Sequence, residues 1–200
     1  MKKRLLAAGL CLCIAAAAVC GRLVAKQRAL AGKLIRFHVV AASDSEGDQA
    51  RKLAVRDALL QRLEPLSRQA QSREQMAALL QDSLPQLKAD AESTLRQHGC
   101  TDPVTVCLQN EAFPTRYYDT FALPAGEYLS LRVKIGDAAG HNWLCVCFPT
   151  LCSAACSDSL ATVAAGAGFT DGEIDWITNC DRYEIRFKVL EWLQALRDRP

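Results

Sequence analysis

Residues 35–39 alternate between apolar and polar side chains, which is the period of a half-buried β-strand. The polar positions in this stretch are Arg36 and His38. A short polar turn follows, in which Ser43 and Glu46 have the spacing of a helix capping box. A strand that runs directly into a helix places side chains and helix N–H groups where a ligand or a partner can reach them.

Two helical patterns follow this turn. Apolar residues recur at helical spacing from Ala50 onwards, and Pro65 is expected to end the first helix. A second helix is expected to begin near Ser72. Because proline is best tolerated in the first turn of a helix, Ser83-Leu84-Pro85 is expected to divide this second helix into two.

The pattern then changes to strands and turns. We predict strands over residues 104–108, 117–121, 128–135 and 143–148. The last two are joined by the glycine-containing residues 136–140, which predicts a β-hairpin. Residues 153–168 are expected to form a variable loop, and helices are expected over residues 170–178 and 183–196. This order predicts an α+β fold, with a mixed, mostly antiparallel sheet of four to five strands and helices packed mainly on one face.

The N-terminal residues form a separate segment. Lys2, Lys3 and Arg4 precede an uncharged run over residues 5–21, which is typical of a signal peptide or a short membrane anchor. A spanning helix requires about 20 apolar residues, so the length of this run fits both alternatives. Ala16-Ala17-Ala18 offers a cleavage site made of small residues. We therefore expect a signal or anchor helix before the folded domain.

Length and charge limit the function of the remainder. We assign residues 1–31 to the leader and a short linker, and residues 32–200 to a single exported domain. The chain has 24 basic and 22 acidic residues. Without its basic leader the domain is close to neutral, so it lacks the positive field that nucleic-acid binding requires. We therefore expect no nucleic-acid partner.

The ten cysteines divide between the leader and the domain. Cys11, Cys13 and Cys20 lie in or near the apolar run. The others are Cys100, Cys107, Cys145, Cys147, Cys152, Cys156 and Cys180. Disulfides are favoured in an exported protein. Because the domain has an odd number of cysteines, at least one is free, pairs with another chain or pairs with Cys20 of a retained anchor.

A cysteine–histidine nucleophile is one candidate for chemistry. Cys145 or Cys147 would act together with His38, His98 or His141. The surrounding sequence contains neither a nucleophile elbow nor an oxyanion loop, so buried or disulfide-bonded strand cysteines are the favoured interpretation. We predict no catalytic residue.

Metal binding is a second candidate. The cysteines of residues 145–156 lack the paired CxxC spacing that is typical of zinc sites. The acidic residues of the segment 44–48 lack the glycine and the distant glutamate of an EF-hand loop, and helix capping explains them without a metal. We therefore predict no metal site and no cofactor.

Partner binding is a third candidate, and it concerns the strand–turn–helix junction, where many polar side chains are concentrated. Trp143 belongs to a residue type that often anchors partners. The alternative is a charged surface of no special role, with Trp143 in the core. The partner-binding candidates are Arg36, His38, Ser43, Asp44, Asp48, Arg56, Asp57 and Trp143.

Two long sequence blocks resemble the stage II sporulation protein R family of endospore-forming bacteria. The first, within residues 36–57, contains R-F-H-V-V-A-A-S-D-S, D-Q and A-V-R-D. The second, within residues 123–152, contains L-P-A-G-E-Y and G-H-N-W-L-C-V-C-F-P-T-L-C. A third, weaker match is Arg186-Phe187-Lys188-Val189. The chain departs from the family pattern at Ala42, Leu144, Cys147 and Thr150, where the family has Asn, Trp, Leu and Pro.

The resemblance implies a function and a partner. Members of the family are made in the forespore and exported into the space between the forespore and mother-cell membranes. There they activate a membrane-embedded aspartic protease of the mother cell, which cleaves the precursor of the sigma-E factor. The resemblance thus implies a secreted signalling protein without enzyme activity or a small-molecule substrate, held to the membrane by residues 5–21 if the leader is retained.

The resemblance also suggests one disulfide and leaves one alternative function. Cys145 and Cys152 match cysteines of the family pattern and are the candidates for a shared bond. The alternative function is an exported hydrolase or thiol enzyme that uses Cys145 with His38 or His141.

Overall fold

The structure is a computed structural model that describes residues 2–150 and 160–197. Its helices are α1 (Lys2–Ala31), α2 (Glu46–Gln69), α3 (Arg73–Gln97), α4 (Leu160–Gly166), α5 (Asp171–Thr178) and α6 (Glu184–Arg197). Its strands are β1 (Ile35–Val40), β2 (Val104–Phe113), β3 (Arg116–Tyr117), β4 (Ala122–Leu123), β5 (Gly126–Ile135) and β6 (Asn142–Phe148). A 3-10 turn, Cys180–Tyr183, precedes α6.

The helices α2 and α3 each continue through a proline. The sequence predicts that Pro65 ends α2 and that Pro85 divides α3, and both predictions are wrong. Buried side chains lie on both sides of each proline, such as Leu63 before Pro65 and Leu87 after Pro85. Packing of these side chains therefore outweighs the backbone hydrogen bond that a proline removes.

The four long strands form one mixed sheet in the order β2-β5-β1-β6. β1 runs parallel to β5 and antiparallel to β6, and β2 runs antiparallel to β5. The predicted α+β class with a mixed sheet is confirmed. The predicted hairpin between β5 and β6 is wrong, because β1 lies between these strands. β1 suits this central position since all but its last residue are buried.

Three other segments differ from the sequence prediction. β2 extends to Phe113, because it pairs with β5 along its whole length. Of the strand expected over residues 117–121 only Tyr117 is in a strand, in the small sheet formed by β3 and β4. Residues 160–166 of the expected loop form α4, and residues 153–159 lie outside the described residues. The two C-terminal helices are confirmed as α5 and α6.

One face of the sheet is covered by α2 and α3. The apolar side chains of β1 on this face are Ile35, Phe37 and Val39, and all three are fully buried. They pack against the buried stripe of α2, which includes Val55 and Leu59. This first core is mainly apolar, and α2 also buries the polar residues Lys52 and Ser67.

A second core lies on the opposite face. Val146 and Cys147 are neighbours on β6 but belong to different cores, which is the alternation of a strand with two covered faces. The second core joins α4, α5 and α6 to the end of α1, where Leu30 and Leu34 are fully buried. The last turn of α1 is therefore part of the folded body.

The rest of α1 has a different character. The stretch Gly9–Ala31 is 23 residues long and apolar enough to cross a membrane. Its side chains from Gly9 to Val19 are exposed. This length and composition fit a signal sequence or a membrane anchor, in agreement with the sequence prediction.

Candidate partner-binding site

The junction between β1 and α2 is held by local hydrogen bonds. Ser45 is the N-cap of α2, and its Oγ accepts from the backbone N–H of Asp48 at 3.2 Å. Ser43 Oγ and Arg51 Nη2 donate to the two carboxylate oxygens of Asp48, each at 2.5 Å. These hydrogen bonds, from Ser43 first and then Arg51, lower the pKa of Asp48. The cap at Ser45 replaces the capping box that the sequence predicts between Ser43 and Glu46.

The same junction is joined to the loop between β5 and β6. Asp44 Oδ1 accepts from the backbone N–H of His141 at 2.6 Å and bonds its ring Nδ1 at 2.5 Å. Lys52 Nζ donates to the carbonyl oxygen of His141 at 3.1 Å. The hydrogen bonds from His141 lower the pKa of Asp44. The Asp44 and His141 side chains are both more than half exposed, so this pair lies at the surface.

Gly140 allows the two segments to approach each other. Its N–H donates to the carbonyl oxygen of Ala41 at 3.0 Å. A Cβ atom at this position would lie 2.2 Å from the carbonyl oxygen of Ser43, so a larger residue does not fit. The two sequence blocks that carry the family resemblance are therefore in direct contact here.

A groove lies between α2 and β6 and encloses a cavity of about 370 Å³. Arg56, Asp57 and Trp143 line it. The guanidinium carbon of Arg56 lies 5.2 Å from the centroid of the Trp143 ring, and its Nε donates to Asp57 Oδ1 at 2.7 Å. Trp143 also packs edge-on against Phe37 of the first core. The groove thus combines an apolar wall with a few charged groups, as ligand and peptide sites do.

A polar network crosses the second face of the sheet and contains one residue from each long strand. Glu111 of β2 accepts from Arg132 Nη1 of β5 at 2.5 Å and from His38 Nε2 of β1 at 2.8 Å. Asn142 Nδ2 of β6 donates to His38 Nδ1 at 2.9 Å. Side-chain hydrogen bonds therefore connect all four long strands, with Glu111 of β2 bonded to both β5 and β1.

The pKa shifts in this network follow from burial and pairing. Burial lowers the pKa of His38, although the hydrogen bond with Glu111 opposes the shift. A neutral imidazole with its proton on Nε2 satisfies both partners, because Nδ1 then accepts from Asn142. Burial would raise the pKa of Glu111, but hydrogen bonds from His38 and Gln109 and the charge of Arg132 outweigh it, and the pKa is lowered. The network thus contains one anion, one cation and a neutral histidine.

Arg36 is a cation inside the protein. It is fully buried, and its guanidinium carbon lies 4.2 Å from the ring centroid of Phe113 and 5.1 Å from that of Tyr128. Its Nη2 donates to the Tyr118 hydroxyl at 3.3 Å, whereas its Nε and Nη1 have no hydrogen-bond partner among the described residues. A desolvated cation–π contact contributes about 2 kcal/mol, while burying an unpaired charge costs several kcal/mol. The aromatic contacts alone therefore do not compensate for this charge.

The predicted partner-binding residues fall into three places. Ser43, Asp44 and Asp48 lie at the junction, Arg56, Asp57 and Trp143 line the groove, and Arg36 and His38 lie inside on the second face. The sequence predicts that β1 is half buried, and this is wrong, because the second core and the polar network cover its polar positions.

Sequence analysis missed three members of the polar network, Glu111, Arg132 and Asn142. Alternation along β5 puts Arg132 among the polar positions of that strand, but nothing local shows that His38 lies beside it. Glu111 falls beyond the predicted end of β2, and Asn142 joins His38 only because β1 is inserted next to β6. Only the order of the strands in the sheet brings these residues together, and local sequence does not show that order.

The alternative of a cysteine–histidine enzyme receives no geometric support from the described part of the chain. Each histidine ring bonds an oxygen, of Glu111, Asp44 or Thr94. Cys147 is buried, and burial raises its pKa to about 12, so its thiol stays protonated. Among the described residues no group of three His, Cys, Asp or Glu side chains is arranged to hold a metal ion.

The predicted disulfide between Cys145 and Cys152 stays a prediction, because Cys152 lies outside the described residues. The free thiols of the described part include Cys11, Cys13, Cys20, Cys100, Cys107 and Cys147. Cys145 is not among them.

Comparison with known proteins agrees with the resemblance. The sequence profile of the stage II sporulation protein R family matches residues 31–158. Over 118 residues the chain is 35% identical to the stage II sporulation protein R of Bacillus subtilis (strain 168), which covers 59% of this chain and 53% of that relative. The chain thus matches about half the length of this relative. No solved structure matches the chain.

Proposed function

The chain belongs to the stage II sporulation protein R family, and from this membership we propose that it is a secreted signal that activates a membrane-embedded aspartic protease. The protease would lie in the mother-cell membrane and would cleave the precursor of sigma-E once activated. The signalling protein itself would bind and would not turn over a substrate. Its folded domain would act in the space between the forespore and mother-cell membranes, after export by the apolar α1.

The groove between α2 and β6 is the observation that best supports a binding function. Tryptophan and arginine are enriched among the residues that dominate binding energy at protein interfaces. Here Arg56 and Trp143 are in contact beside an open cavity, and each comes from one of the two sequence blocks that match the family. Asp57, at the rim, is 57% exposed. We propose that this groove contacts the outward-facing part of the protease.

The junction next to the groove has a supporting role in this proposal. Ser43 and Arg51 fix Asp48, and Asp44 holds the backbone of His141, which directly precedes β6. These bonds keep Trp143 and the start of β6 in one position relative to α2. A site that is already ordered before binding loses less conformational entropy when the partner docks.

Activation by binding requires different affinities for two states of the protease. A ligand that binds the active state about 10⁴-fold more tightly than the inactive state moves a 1:99 equilibrium to 99:1. We propose that the groove supplies this difference by contacting a surface that the protease presents in its active, assembled state.

The proposal is tested by producing the chain, the protease and the sigma-E precursor together in a cell that does not sporulate. We expect cleavage of the precursor only when this chain is present with its apolar run. Cleavage without the chain, or with a version that lacks residues 1–21 but keeps the buried Leu30, would contradict the proposal.

Variants of the groove test the proposed surface in the same cell. Arg56→Ala and Trp143→Phe remove the cation and part of the aromatic wall, while phenylalanine retains packing on Phe37. We expect both variants to lower cleavage while the protein stays folded and exported. Arg96→Ala, an exposed arginine on α3 away from the groove, is the matched control. Equal cleavage by all four proteins would place the contact elsewhere.

A further inference from the structure

We propose that the second face of the sheet contains a binding site for a carboxylate, formed by Arg36, Ser130 and Arg132. The site lies on the opposite face from α2, and the groove plays no part in it. The inference is independent of the proposed function.

Polar atoms without a partner are concentrated at this place. Arg36 Nε and Nη1, Ser130 Oγ and Arg132 Nε are all buried, and none has a hydrogen-bond partner within the described residues. Arg36 and Ser130 are register partners on the parallel neighbours β1 and β5, so their side chains stand side by side. Arg132 is two residues further along β5 and therefore points to the same face. Three donor groups thus share one small area of the sheet.

The charges at this place do not balance. Arg36 and Arg132 are two cations, and Glu111 is the carboxylate that pairs with Arg132. Both oxygens of Glu111 are already used, one by Arg132 and one by His38. Arg36 forms no ion pair with a described residue. One positive charge is therefore left without a counter-ion in a buried position, where it is most costly.

A carboxylate supplies what these groups lack. It brings one negative charge, which balances Arg36, and two oxygens that accept from several N–H and O–H donors. The surroundings are aromatic, with Phe113 and Tyr128 beside the guanidinium. A small, planar, singly charged group fits such surroundings better than a phosphate, which is larger and more strongly hydrated.

Tyr118 provides an entrance to the site. Its side chain is partly exposed, and its hydroxyl accepts the hydrogen bond of Arg36 at 3.3 Å. Its ring stacks on Phe121, with the centroids 4.4 Å apart. Rotation of Tyr118 would break this long hydrogen bond and the stacking on Phe121, and it would expose Arg36 to solvent. A free small carboxylate and an acidic side chain of another protein share the chemistry that this opening admits.

The test measures whether carboxylates stabilise the folded protein specifically. The full-length chain in neutral detergent at pH 7 is unfolded with urea and followed by tryptophan fluorescence, in sodium formate or in sodium chloride of equal ionic strength. We expect formate to raise the urea midpoint along a saturating curve, beyond the effect of chloride. A short peptide with a central glutamate is the second probe. Stabilisation by both probes indicates a side-chain ligand, and stabilisation by formate alone indicates a free anion.

Variants assign the effect to the site. Arg36→Met keeps most of the side-chain volume and should abolish the formate response. Ser130→Ala removes one donor, and we expect it to weaken the apparent Kd for formate about tenfold. Lys134→Met is the matched control, because it removes a cation of β5 two residues beyond Arg132. This variant should respond to formate like the unchanged protein.

Two results would overturn the proposal. The first is equal urea midpoints in formate and chloride for the unchanged protein, which would leave bound water as the partner of Arg36. The second is an unchanged formate response in Ser130→Ala. This variant removes a single hydroxyl, so it decides the question even if Arg36→Met does not fold.

Discussion

The two faces of the central sheet differ in the side chains that they bury. On the first face, Ile35, Phe37 and Val39 of β1 pack in an apolar cluster with side chains from α2 and α3. On the second face, the alternate residues Arg36 and His38 are buried as well, Arg36 against the rings of Phe113 and Tyr128 and His38 beside Glu111. Both faces stabilise the fold through the hydrophobic effect, and the second depends in addition on how well its polar groups are paired.

This difference indicates where function is to be sought. The apolar side chains of a packed core need no further partner. A buried polar group with an unused hydrogen-bond donor raises the free energy of the folded state until an acceptor pairs with it. The second face therefore combines a network of paired side chains, around Glu111, with a buried cation, Arg36, that forms no ion pair with a described residue. The following experiments measure each part of this contrast.

The largest expected effect is on the first face. Leu59→Ala removes a fully buried side chain of α2, and we expect the free energy of unfolding to fall by about 2–5 kcal/mol. Urea denaturation measures the loss. Leu53→Ala, on the same helix but 39% exposed, is the control and should cost far less. Equal losses would show that α2 does not pack on the sheet as described.

The next effect concerns the network around Glu111 on the second face. Glu111→Gln keeps the shape of the side chain but removes the charge that Arg132 and His38 share. We expect the free energy of unfolding to fall by about 1–3 kcal/mol, because hydrogen bonds to a charged group are replaced by weaker ones. Denaturation at low and high salt measures it. A gain in stability would show that the desolvation penalty of the buried carboxylate exceeds the stabilisation from its hydrogen bonds.

The third prediction concerns the pH dependence of stability, which we expect to arise from His38 on the second face. Burial lowers the pKa of His38, so the folded protein keeps this ring neutral where the unfolded chain, with a pKa of about 6.5, takes up a proton. The free energy of unfolding should therefore be fully retained above about pH 6.5 and fall as the pH drops below that value. His38→Asn should flatten this part of the profile, measured by urea denaturation between pH 7 and 5. An unchanged slope in the variant would exclude His38 as its cause.

A further loss is expected at lower pH from the carboxylates. Glu111 has a lowered pKa in the fold, so its contribution is present above its usual value of 4.5 and disappears as the pH falls through the lowered one. The two losses begin at different pH values, near 6.5 for His38 and near 4.5 for Glu111, and Glu111→Gln should remove only the more acidic one. Loss of both windows in this variant would show that His38 and Glu111 titrate as one unit.

The smallest expected effect lies outside both faces. Arg62 Nε donates to Asp90 Oδ2 at 2.9 Å across the outer surfaces of α2 and α3, where Arg62 is about half exposed. Arg62→Ala should lower the free energy of unfolding by about 0.2–1 kcal/mol, and less at high salt. A larger loss would mean that this surface pair supports the first core.

The elements that depend on local patterns could be predicted from the sequence. Alternation identifies β1, and the polar turn after it leads to the start of α2 as expected. The errors at Pro65 and Pro85 have another cause, since a local rule for proline cannot include the tertiary contacts of Leu63 and Leu87. The false hairpin arises in the same way, because local sequence does not show that β1 enters between β5 and β6.

The same limit applies to the candidate site. Ser43 and Asp48 are close in the chain, so their junction could be recognised from spacing. His38 and Glu111 meet over a long stretch of chain, and their pairing follows from the register of β1, β5 and β2. Alternation alone predicts that Arg36 points towards water, whereas the second core covers it.

The position of β1 has a consequence for how the protein is made. β1 is the first strand to be synthesised but the central one of the sheet, and its neighbours follow only much later, since Ile35 pairs with Leu129 and Phe37 with Cys145. A nascent chain therefore carries both edges of this strand open until most of its length has emerged. Contacts so distant in sequence make for slow assembly. During translation or passage through an export channel, α2 and α3 can cover one face of β1, but its backbone edges stay open to a chaperone or another chain until β5 and β6 arrive.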